Sequence, residues 1–382
     1  MGRANKEPAG CLCARESDMT ISFQGQRTAG SGSYSSAEVQ FLLRPMQLAP
    51  IEVAAKEALI QSGQRHYSEM ISHEEPPSEE HMALYAKALT QNSVRMATDV
   101  QSLALALNER YNNSIITLVS FVRAGLPLGV LLCRALTEFG SEAYHYGISI
   151  VRDRGIDTVA LEAIIKEHGS ESIVFVDGWT GKGAIANEIR CSLIDDTRFP
   201  EDPRLVVLAD PCGMAWLAAS QEDWIIPSGI LGATVSGLIS RSIWPQDNGL
   251  HGCVVYDYLQ EHDVTRDFID TIERHRLQLP PQVAARPWGS EQREQLQANA
   301  LAVINGLAAR FGITNYNQIK PGIAEATRAV LRRVPERVLV RNCDDQDVQL
   351  LKHLTDRAGI EIEEVGAALG PYRAVTIIRS VS

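Results

Sequence analysis

The stretch SIVFVDGWTGKGAIANEI, from Ser172 to Ile189, combines a buried strand, a flexible turn and the start of a helix. An apolar run ends at Asp177, three glycines, a threonine and a lysine follow, and helix-forming residues resume at Ala184. Backbone N–H groups at a helix start bind anions, and glycines let the backbone approach a phosphate closely. The pattern predicts either a phosphate-binding turn or a turn whose glycines serve only tight packing.

The same alternation of strand and helix recurs along the middle of the chain. Short β-branched or apolar runs alternate with helical patterns at 114–120, 143–151, 173–176 and 205–208. This alternation is typical of a parallel α/β sheet, in which ligands bind beyond the carboxyl ends of the strands. Three strand ends stand out for their glycines and polar residues, at 120–129, 177–183 and 210–213. We expect these three segments to lie side by side.

The length of 382 residues exceeds the usual size of a single hydrophobic core and predicts two domains. The Gly/Ser-rich start predicts a disordered leader, and a polar stretch with several prolines predicts a linker. A second pattern of helices and strands follows that linker. The predicted units are a leader at 1–35, a first α/β domain with a helical N-terminal region at 36–280, a linker at 281–293 and a small α/β domain at 294–382.

Composition and charge exclude several classes of protein. An apolar content of 45% with 22% charged residues is typical of soluble proteins, and the apolar stretch 115–136 is broken by Arg123, Gly125 and Pro127, which argues against a membrane span. The net charge of −11 argues against a protein that coats nucleic acid. Seven scattered cysteines without a C-x-x-C pair argue against structural zinc and disulfides and favour the cytoplasm.

Glycine spacing separates the kinds of phosphate-binding turn. A Walker A loop needs four residues between its first glycine and Gly-Lys-Ser/Thr, but only two separate Gly178 from Gly181, and Gly183 replaces the hydroxyl residue. The glycine order also differs from the G-x-G-x-x-G dinucleotide fingerprint. A loop for phosphoribosyl diphosphate (PRPP) remains, with an acid for the ribose hydroxyls and a helix start for the 5′-phosphate. The residues that match it are Asp177, Gly178, Thr180, Gly181, Lys182 and Gly183.

Cations follow two neighbouring strands. Arg123, Ala124 and Gly125 come directly after the strand at 114–120, where a guanidinium and free N–H groups suit a diphosphate. Arg152 and Arg154 lie on a loop after the next strand, either as ion-paired surface residues or as residues that close over the diphosphate. Together with the glycine turn, these cations favour a PRPP site over an ordinary packed turn.

The order of these segments resembles the type I phosphoribosyltransferase fold, with its diphosphate loop, flexible hood and PRPP loop. More specifically, GSYSSAEVQFLLRPM, QSGQRHYSEM, DGWTGKGAI and DWIIPSGILGATVSGLISRSI look like the StiP family, which is associated with bacterial tellurite-resistance and stress operons. The resemblance covers about residues 33–275, and this family has been labelled both cysteine protease and phosphoribosyltransferase. The chain departs from the usual PRPP loop because one acid, Asp177, stands where two adjacent acids are usual.

The resemblance implies an enzyme that transfers the phosphoribosyl group of PRPP to a nucleobase-like acceptor. It also implies Mg²⁺ brought by the diphosphate, with Asp177 as a further contact for the metal. The predicted catalytic residues are Arg123, Arg152, Arg154 and Asp177. The predicted acceptor pocket draws on Asp210, Cys212, Ser228 and Arg241. The segment 223–244, which contains two of them, is predicted to form either a nucleobase wall or the interface of a homodimer.

The sequence leaves two alternative functions open. The single acid in the turn suits a non-catalytic protein that senses PRPP or a nucleotide and couples it to RNA. A cysteine protease or hydrolase would instead use Cys212, which follows a strand end, as its nucleophile. The candidate bases are His145 and His251, and the candidate orienting acids are Asp210 and Asp247.

The stretch KPGIAEATRAVLRRVPERVLV, at 320–340, is rich in Lys and Arg and predicts either a solvated basic helix face or an RNA contact. Its Gly-x-x-Glu-x-x-Arg start resembles the Pelota and related ribosomal RNA-binding domains, as do RNCDDQD and VGAALGPYRAV further on. The resemblance covers about residues 294–382 and implies binding to structured RNA. The implied RNA-binding residues are Lys320, Gly322, Glu325, Arg328 and Arg332.

Overall fold

The computed structural model describes residues 20–23, 27–112 and 114–379. Helices α1 to α9 span Val53–Gln61, Glu79–Tyr111, Leu126–Glu138, Thr158–His168, Ala184–Leu193, Thr265–Arg276, Ser290–Phe311, Ile323–Arg332 and Gln349–Ala358. Strands β1 to β14 span Gln40–Phe41, Arg44–Pro45, Ile116–Phe121, Ala143–Ile148, Ile150–Val151, Gly155–Ile156, Ile173–Val176, Leu205–Ala209, Leu217–Ser220, Gly252–Cys253, Ile319–Pro321, Pro335–Val340, Ile362–Glu364 and Ala374–Ile378. Within the described ranges, no helix is both long and apolar enough to cross a membrane.

The middle of the chain folds into a six-stranded parallel sheet with the strand order β1-β4-β3-β7-β8-β9. Its central strands are buried on both faces, which explains why their sequences are continuous apolar runs. Helices α2, α3 and α6 cover one face, and helices α4 and α5 cover the other. The predicted α/β fold with a parallel sheet is confirmed.

The carboxyl ends of β3, β7 and β8 lie next to one another. Strand β7 pairs in parallel with β3 on one side and with β8 on the other, so the segments that follow all begin at the same edge. The contact is close: a Cβ atom at Gly125 would lie 2.2 Å from the Val176 carbonyl oxygen. The sheet therefore brings the three glycine-bearing segments together, as the alternation of strands and helices predicts.

Part of the predicted leader is folded. The Ala29 N–H donates to the Leu43 carbonyl at 2.9 Å, and Tyr34 is buried, so the stretch 27–35 packs on the first domain. The prediction of disorder was wrong there because a short aromatic and small-residue segment can pack without any periodic pattern. Residues 1–19 and 24–26 of the predicted leader lie outside the described residues.

The predicted linker also packs on the first domain. Arg286 Nη1 lies 2.5 Å from Asp99 Oδ1, and Trp288 Nε1 donates to the Ala215 carbonyl at 3.1 Å. Its prolines keep 281–289 out of a helix but leave a few side chains free to anchor it, whereas 290–293 already belong to α7. Helix α2 of the first domain continues unbroken for 33 residues because no glycine or proline interrupts it before its end.

The last part of the chain forms a second sheet with the order β11-β14-β12-β13, in which only the β12–β13 pair is parallel. Helix α7 packs on one face of this sheet. Helices α8 and α9 pack on the other face, and their apolar residues join the core of the first domain, where Leu351 shares a cluster with Trp224 and Ile225. This shared core docks the small domain against the parallel sheet.

Candidate functional site

The turn between β7 and α5 presents an open helix start. Gly183 directly precedes α5 with a φ of +79°, a left-handed conformation that favours glycine. No side chain caps α5, and first-turn N–H groups have no acceptor within a helix. The Asp177 N–H donates to Val206 and the Thr180 N–H to Ala209, at 3.1 and 2.9 Å, which ties the turn to β8. The turn is therefore rigidly placed and leaves N–H groups for an anion.

A cavity of about 350 Å³, here called the basic cavity, opens at this turn between the two domains. The turn and the β3 end line it with Ala124, Asp177, Thr180, Gly181, Lys182 and Gly183. Basic side chains dominate the wall, namely Lys56, Arg123, Arg152, Lys182, Arg241, Lys320, Arg328, Arg332 and Arg333. The carboxyl groups in the wall are those of Glu57, Asp177 and Glu325. This local excess of positive charge attracts anions although the whole chain is acidic.

Burial and neighbouring cations weaken the bases in this cavity. Burial and then nearby arginines lower the pKa of Lys56 to about 7, and burial and then Arg152 lower the pKa of Lys182 to about 8. Burial lowers the pKa of Lys320 to about 7, and burial and then other arginines lower that of Arg332 to about 9. An anion bound among these groups would favour their charged forms. The electrostatics therefore suit a ligand with several negative charges.

Asp177 is the acid at the end of β7, as predicted. Its side chain is buried, and its Oδ1 accepts the Gly178 N–H at 2.8 Å. Burial raises the pKa of Asp177 to about 7, although this hydrogen bond and Arg328 act in the opposite direction. A carboxyl group in this position can accept hydrogen bonds from sugar hydroxyls. It stands alone in the turn, without the second adjacent acid of the usual PRPP loop.

Arg123 is buried in the cavity wall, and its guanidinium group already has partners within the chain. Its Nη1 lies 2.9 Å from Glu74 Oε2 and 3.1 Å from the Ile239 carbonyl oxygen. Sequence reasoning missed Glu74 because it lies in a loop before α2 and belongs to no motif. It also missed Lys56, a single charge on α1 whose position in the cavity depends on the docking of distant segments.

Arg152 and Arg154, the two arginines predicted to close over the diphosphate, point to different places in the structure. They flank the turn of the β5–β6 hairpin, at Asp153. Arg152 lines the basic cavity. Arg154 points elsewhere, because its guanidinium pairs with Glu69 at 2.5 Å and lies 5.1 Å over the Trp244 ring. The structure thus brings Arg152 to the site, and the prediction that Arg154 contacts the diphosphate is not supported by this arrangement.

The residues predicted for an acceptor pocket also separate. Arg241 lines the basic cavity, whereas Ser228 lies outside its wall. Asp210 and Cys212 are buried behind Thr180, whose Oγ1 donates to the Asp210 carboxylate and lies 3.2 Å from Cys212 Sγ. Asp210 and Cys212 therefore support the turn from behind and do not face the cavity.

The two histidines predicted as bases form hydrogen bonds with serines and not with Cys212. His145 Nε2 lies 2.7 Å from Ser120 Oγ, and His251 Nδ1 lies 2.6 Å from Ser149 Oγ. All four side chains are buried, and burial lowers the pKa of His145 to about 4. Each pair satisfies polar groups inside the first domain, so neither histidine is placed to take a proton from the thiol.

The surroundings of Cys212 disfavour a thiolate. Its side-chain hydrogen-bond partners in the described structure are oxygens of Thr180 and Asp210, and only the Met214 N–H and the Thr180 hydroxyl act in favour of a thiolate. Burial and then the Asp210 carboxylate raise the pKa of Cys212 well above its usual range. Reactive cysteines need the opposite, a positive or proton-accepting neighbour. Asp247, the other predicted orienting acid, is exposed and pairs with Arg44 at 2.7 Å. The predicted Cys-His-Asp arrangement is not assembled.

The residues implied in RNA binding meet the first domain. Lys320, Glu325, Arg328 and Arg332 line the basic cavity, and Gly322 precedes α8 at its edge. The structure therefore brings the predicted PRPP loop and the predicted RNA-binding motif to one place, a juxtaposition that neither pattern reveals alone.

Comparison with solved structures gives weak likenesses to hypoxanthine phosphoribosyltransferase from Trypanosoma cruzi. A mutant of that enzyme complexed with the product IMP aligns with a TM-score of 0.25 and 17% identity, over 33% of this chain and 70% of that chain. Another structure of the enzyme aligns with a TM-score of 0.26 and 16% identity, over 34% and 77% of the two chains. TM-scores this low do not establish a shared fold.

Comparison of sequences is decisive about family. Residues 32–273 match the family model described as tellurite-like stress resistance cysteine protease StiP, and residues 298–380 match the model of the PELOTA RNA binding domain. A protein named Cysteine protease StiP, from Acinetobacter baylyi, is 50% identical over 364 residues, covering 92% of this chain and 94% of that protein. The chain therefore belongs to the StiP family and carries a Pelota-type domain at its C-terminal end.

Proposed function

We propose that the basic cavity binds PRPP and that the chain transfers its phosphoribosyl group to a nucleobase-like acceptor. The observation that carries this proposal is the meeting, in one cavity, of an open helix start, a strand-end carboxyl group and a wall of cations. The helix start suits a 5′-phosphate, Asp177 suits ribose hydroxyls, and the cations suit a diphosphate. The membership of the chain in a family described by stress resistance supports a role of such an enzyme in a bacterial stress pathway.

In the proposed reaction, the bond between ribose C1 and the diphosphate oxygen breaks, and its electron pair leaves with the diphosphate. A ring nitrogen of the acceptor forms the new bond to C1 and releases its proton to water. Arg123 and Arg152 stabilise the charge that develops on the diphosphate. Asp177 holds the ribose hydroxyls beside the positive charge that develops on the sugar, and Lys182 and the N–H groups at the start of α5 hold the 5′-phosphate. Thr180, whose hydroxyl donates to Asp210 and whose N–H donates to Ala209, braces the turn instead of binding the phosphate as predicted. The catalysis consists of positioning and electrostatics.

Magnesium is the metal that accompanies phosphate groups in many enzyme sites. In the part of the chain that the structure describes, no three His, Cys, Asp or Glu side chains are placed to hold a metal ion together. Of the three carboxyl groups in the wall of the basic cavity, Glu57 pairs with Arg333, which leaves Asp177 and Glu325 among many cations. This set of donors does not fit a magnesium ion held by the protein, so no step of the proposed reaction passes through the metal.

Calorimetric titration of the full chain with PRPP in the presence of Mg²⁺ tests the proposal. We expect one site per chain, weakened by Asp177→Asn and unchanged by the control Asp195→Asn, which alters an exposed acid. An absence of binding, or normal binding and turnover by Asp177→Asn, would overturn it. Binding without release of pyrophosphate would instead identify a PRPP sensor, for which the single acid in the turn would suffice.

A cysteine protease is the second candidate function, and the description of the family and the name of the Acinetobacter relative favour it. Cys212 is its nucleophile in that case, since this thiol lies directly behind Thr180, which lines the basic cavity. A shift of the turn that exposes Cys212 would have to precede reaction. Alkylation of Cys212 with loss of peptidase activity tests this candidate.

We further propose that the C-terminal domain binds structured RNA, on the basis of its match to the Pelota domain. The charges of this domain nearly cancel, so a contact with RNA would be local and sensitive to salt. Filter binding of an RNA hairpin to the full chain at increasing salt concentration tests the proposal, and an absence of retained RNA at low salt would overturn it.

A further inference from the structure

Helix α8 lies in the wall of the basic cavity, facing the glycine turn. A Cβ atom at Gly181 would lie 3.1 Å from the Pro321 carbonyl oxygen and 3.2 Å from Glu325 Cγ. The Arg328 guanidinium lies 4.9 Å over the Trp179 ring of the same turn. The first turns of α8 therefore contact the proposed PRPP loop directly, and a side chain at Gly181 would be tightly packed between them.

The start of α8 is closed to an RNA phosphate in this arrangement. The Ile323 N–H donates to both carboxylate oxygens of Asp223, at 2.9 Å each, and the Gly322 N–H donates to the Ala374 carbonyl at 2.9 Å. Asp223 belongs to the first domain and is buried. The N–H groups that a Pelota-type motif would offer to RNA are thus occupied by the chain itself.

Several polar contacts hold the two domains together at this point. Arg333 Nη1 lies 2.7 Å from Glu57 Oε2 on α1. The Tyr372 hydroxyl donates to the Gly181 carbonyl at 3.0 Å, and Lys182 Nζ donates to the Ile319 carbonyl at 3.2 Å. With the shared apolar core behind them, these contacts make the cavity a composite of both domains.

Two arginines of α8 form no ion pair with a described residue, although the Glu74 carboxylate acts on both of them at longer range. Within the described residues, neither Arg328 nor Arg332 has a carboxylate at ion-pair distance, in contrast to their neighbour Arg333. Arg328 Nε and, across the cavity, Arg241 Nη1 are buried atoms without a hydrogen-bond partner. Burial, and then the charges of Arg328 and Arg123, lower the pKa of Arg332 to about 9. Arg328 and Arg332 are half-buried, and a guanidinium that is withdrawn from water without an ion pair is unfavourable unless an anion joins it.

We propose that Arg328 and Arg332, from the C-terminal domain, are ligand-binding residues that hold phosphate groups in the basic cavity, and that this helix face is not the RNA contact of the domain. The class of ligand rests on the proposed function, while the placement of the two arginines does not. The small domain thus completes the small-molecule site of the first domain, and any RNA binds elsewhere on its surface.

Calorimetric titration of the full chain with inorganic pyrophosphate tests this assignment. We expect Arg328→Gln and Arg332→Gln each to weaken binding by about ten- to a hundredfold, since each removes a charged hydrogen bond. Arg328→Lys should retain part of the affinity. The control Arg337→Gln changes an exposed arginine of the same domain and should bind like the wild type.

The melting temperature of each ligand-free variant separates a binding role from a structural one. Each glutamine variant removes one cation from a like-charged cluster, so we expect its melting temperature to stay the same or rise while pyrophosphate binding falls.

Equal pyrophosphate binding by wild type and both variants, or no binding by the wild type, would overturn the assignment. Loss of RNA-hairpin retention with unchanged pyrophosphate binding would also overturn it. If the two glutamine variants lose pyrophosphate binding and the wild type does not turn over PRPP, the assignment of the arginines is supported and the transferase proposal is refuted.

Discussion

The Glu74 carboxylate lies 2.9 Å from Arg123 Nη1, so the arginine that is proposed to bind diphosphate already forms an ion pair within the chain. The same carboxylate accepts the Ala233 N–H at 2.5 Å, and a Cβ atom at Gly232 would lie 1.7 Å from Glu74 Oε1. Burial opposes ionisation here, but Arg123 and Arg332 outweigh it and hold the pKa of Glu74 at about 2. Glu74 is therefore an internal anion that the proposed phosphorylated ligand would have to displace from Arg123.

Replacing Glu74 by glutamine should strengthen the binding of pyrophosphate. The variant keeps the shape of the side chain but removes the negative charge that competes for Arg123. We expect a gain of about 1 kcal/mol, roughly fivefold in affinity, in calorimetric titrations.

Glu75→Gln is the matched control, because Glu75 is the neighbouring acid and its side chain is 80% exposed. Its affinity for pyrophosphate should equal that of the wild type. Weaker binding by Glu74→Gln would contradict the prediction and would mean that Glu74 orients Arg123 for the ligand.

The buried carboxyl group of Asp177 should lower stability at alkaline pH. Its pKa is raised to about 7 in the folded chain, whereas an unfolded aspartate has a pKa of about 3.9. Between these values the unfolded state releases its proton first, so the free energy of unfolding falls as pH rises from about 4 to 7 and stays lower above pH 7. Asp177→Asn should therefore be more stable than the wild type at pH 8, by about 2–4 kcal/mol, and equal to it near pH 4.

Urea denaturation of wild type and Asp177→Asn at both pH values measures this difference, with Asp195→Asn as the exposed control. The same variant should lose affinity for PRPP, so stability and function move in opposite directions. A stability difference that does not depend on pH would show that the Asp177 carboxyl group is already ionised in the folded chain well below pH 7.

The strand ends could be predicted from sequence, but the partners across the cavity could not. Apolar runs followed by Asp177 and by Arg123 define parallel strands, whose geometry brings their carboxyl ends to one edge. The meeting of Gly181 with Glu325 depends instead on how two separately patterned domains dock. That docking is set by apolar side chains such as Ile225 and Leu351, and no local periodicity specifies which surfaces they join. Ion pairs between distant loops escape prediction for the same reason.

Alkylation by iodoacetamide should leave Cys212 almost unmodified in the folded protein. Its thiol is buried and its pKa is raised, whereas Cys191 is exposed and should react first. Mass spectrometry of the peptides after a time course at pH 7.5 measures both rates, and unfolding in urea should make them equal. Preferential labelling of Cys212 in the folded chain would contradict the prediction and would favour the cysteine protease.

Lys182→Gln should discriminate between the two phosphate positions of the proposed site. Lys182 lies in the turn before α5, next to the helix start proposed for the 5′-phosphate, which PRPP has and pyrophosphate lacks. Removing this charge should weaken PRPP binding by about ten- to a hundredfold and change pyrophosphate binding less than about twofold. The exposed Lys166 on α4 provides the control, since Lys166→Gln should bind both compounds normally.

Because Lys182 also contacts the Ile319 carbonyl, a variant that merely loosened the docking of the domains would lose both ligands together. Equal losses for PRPP and pyrophosphate would therefore argue against a 5′-phosphate position at the glycine turn.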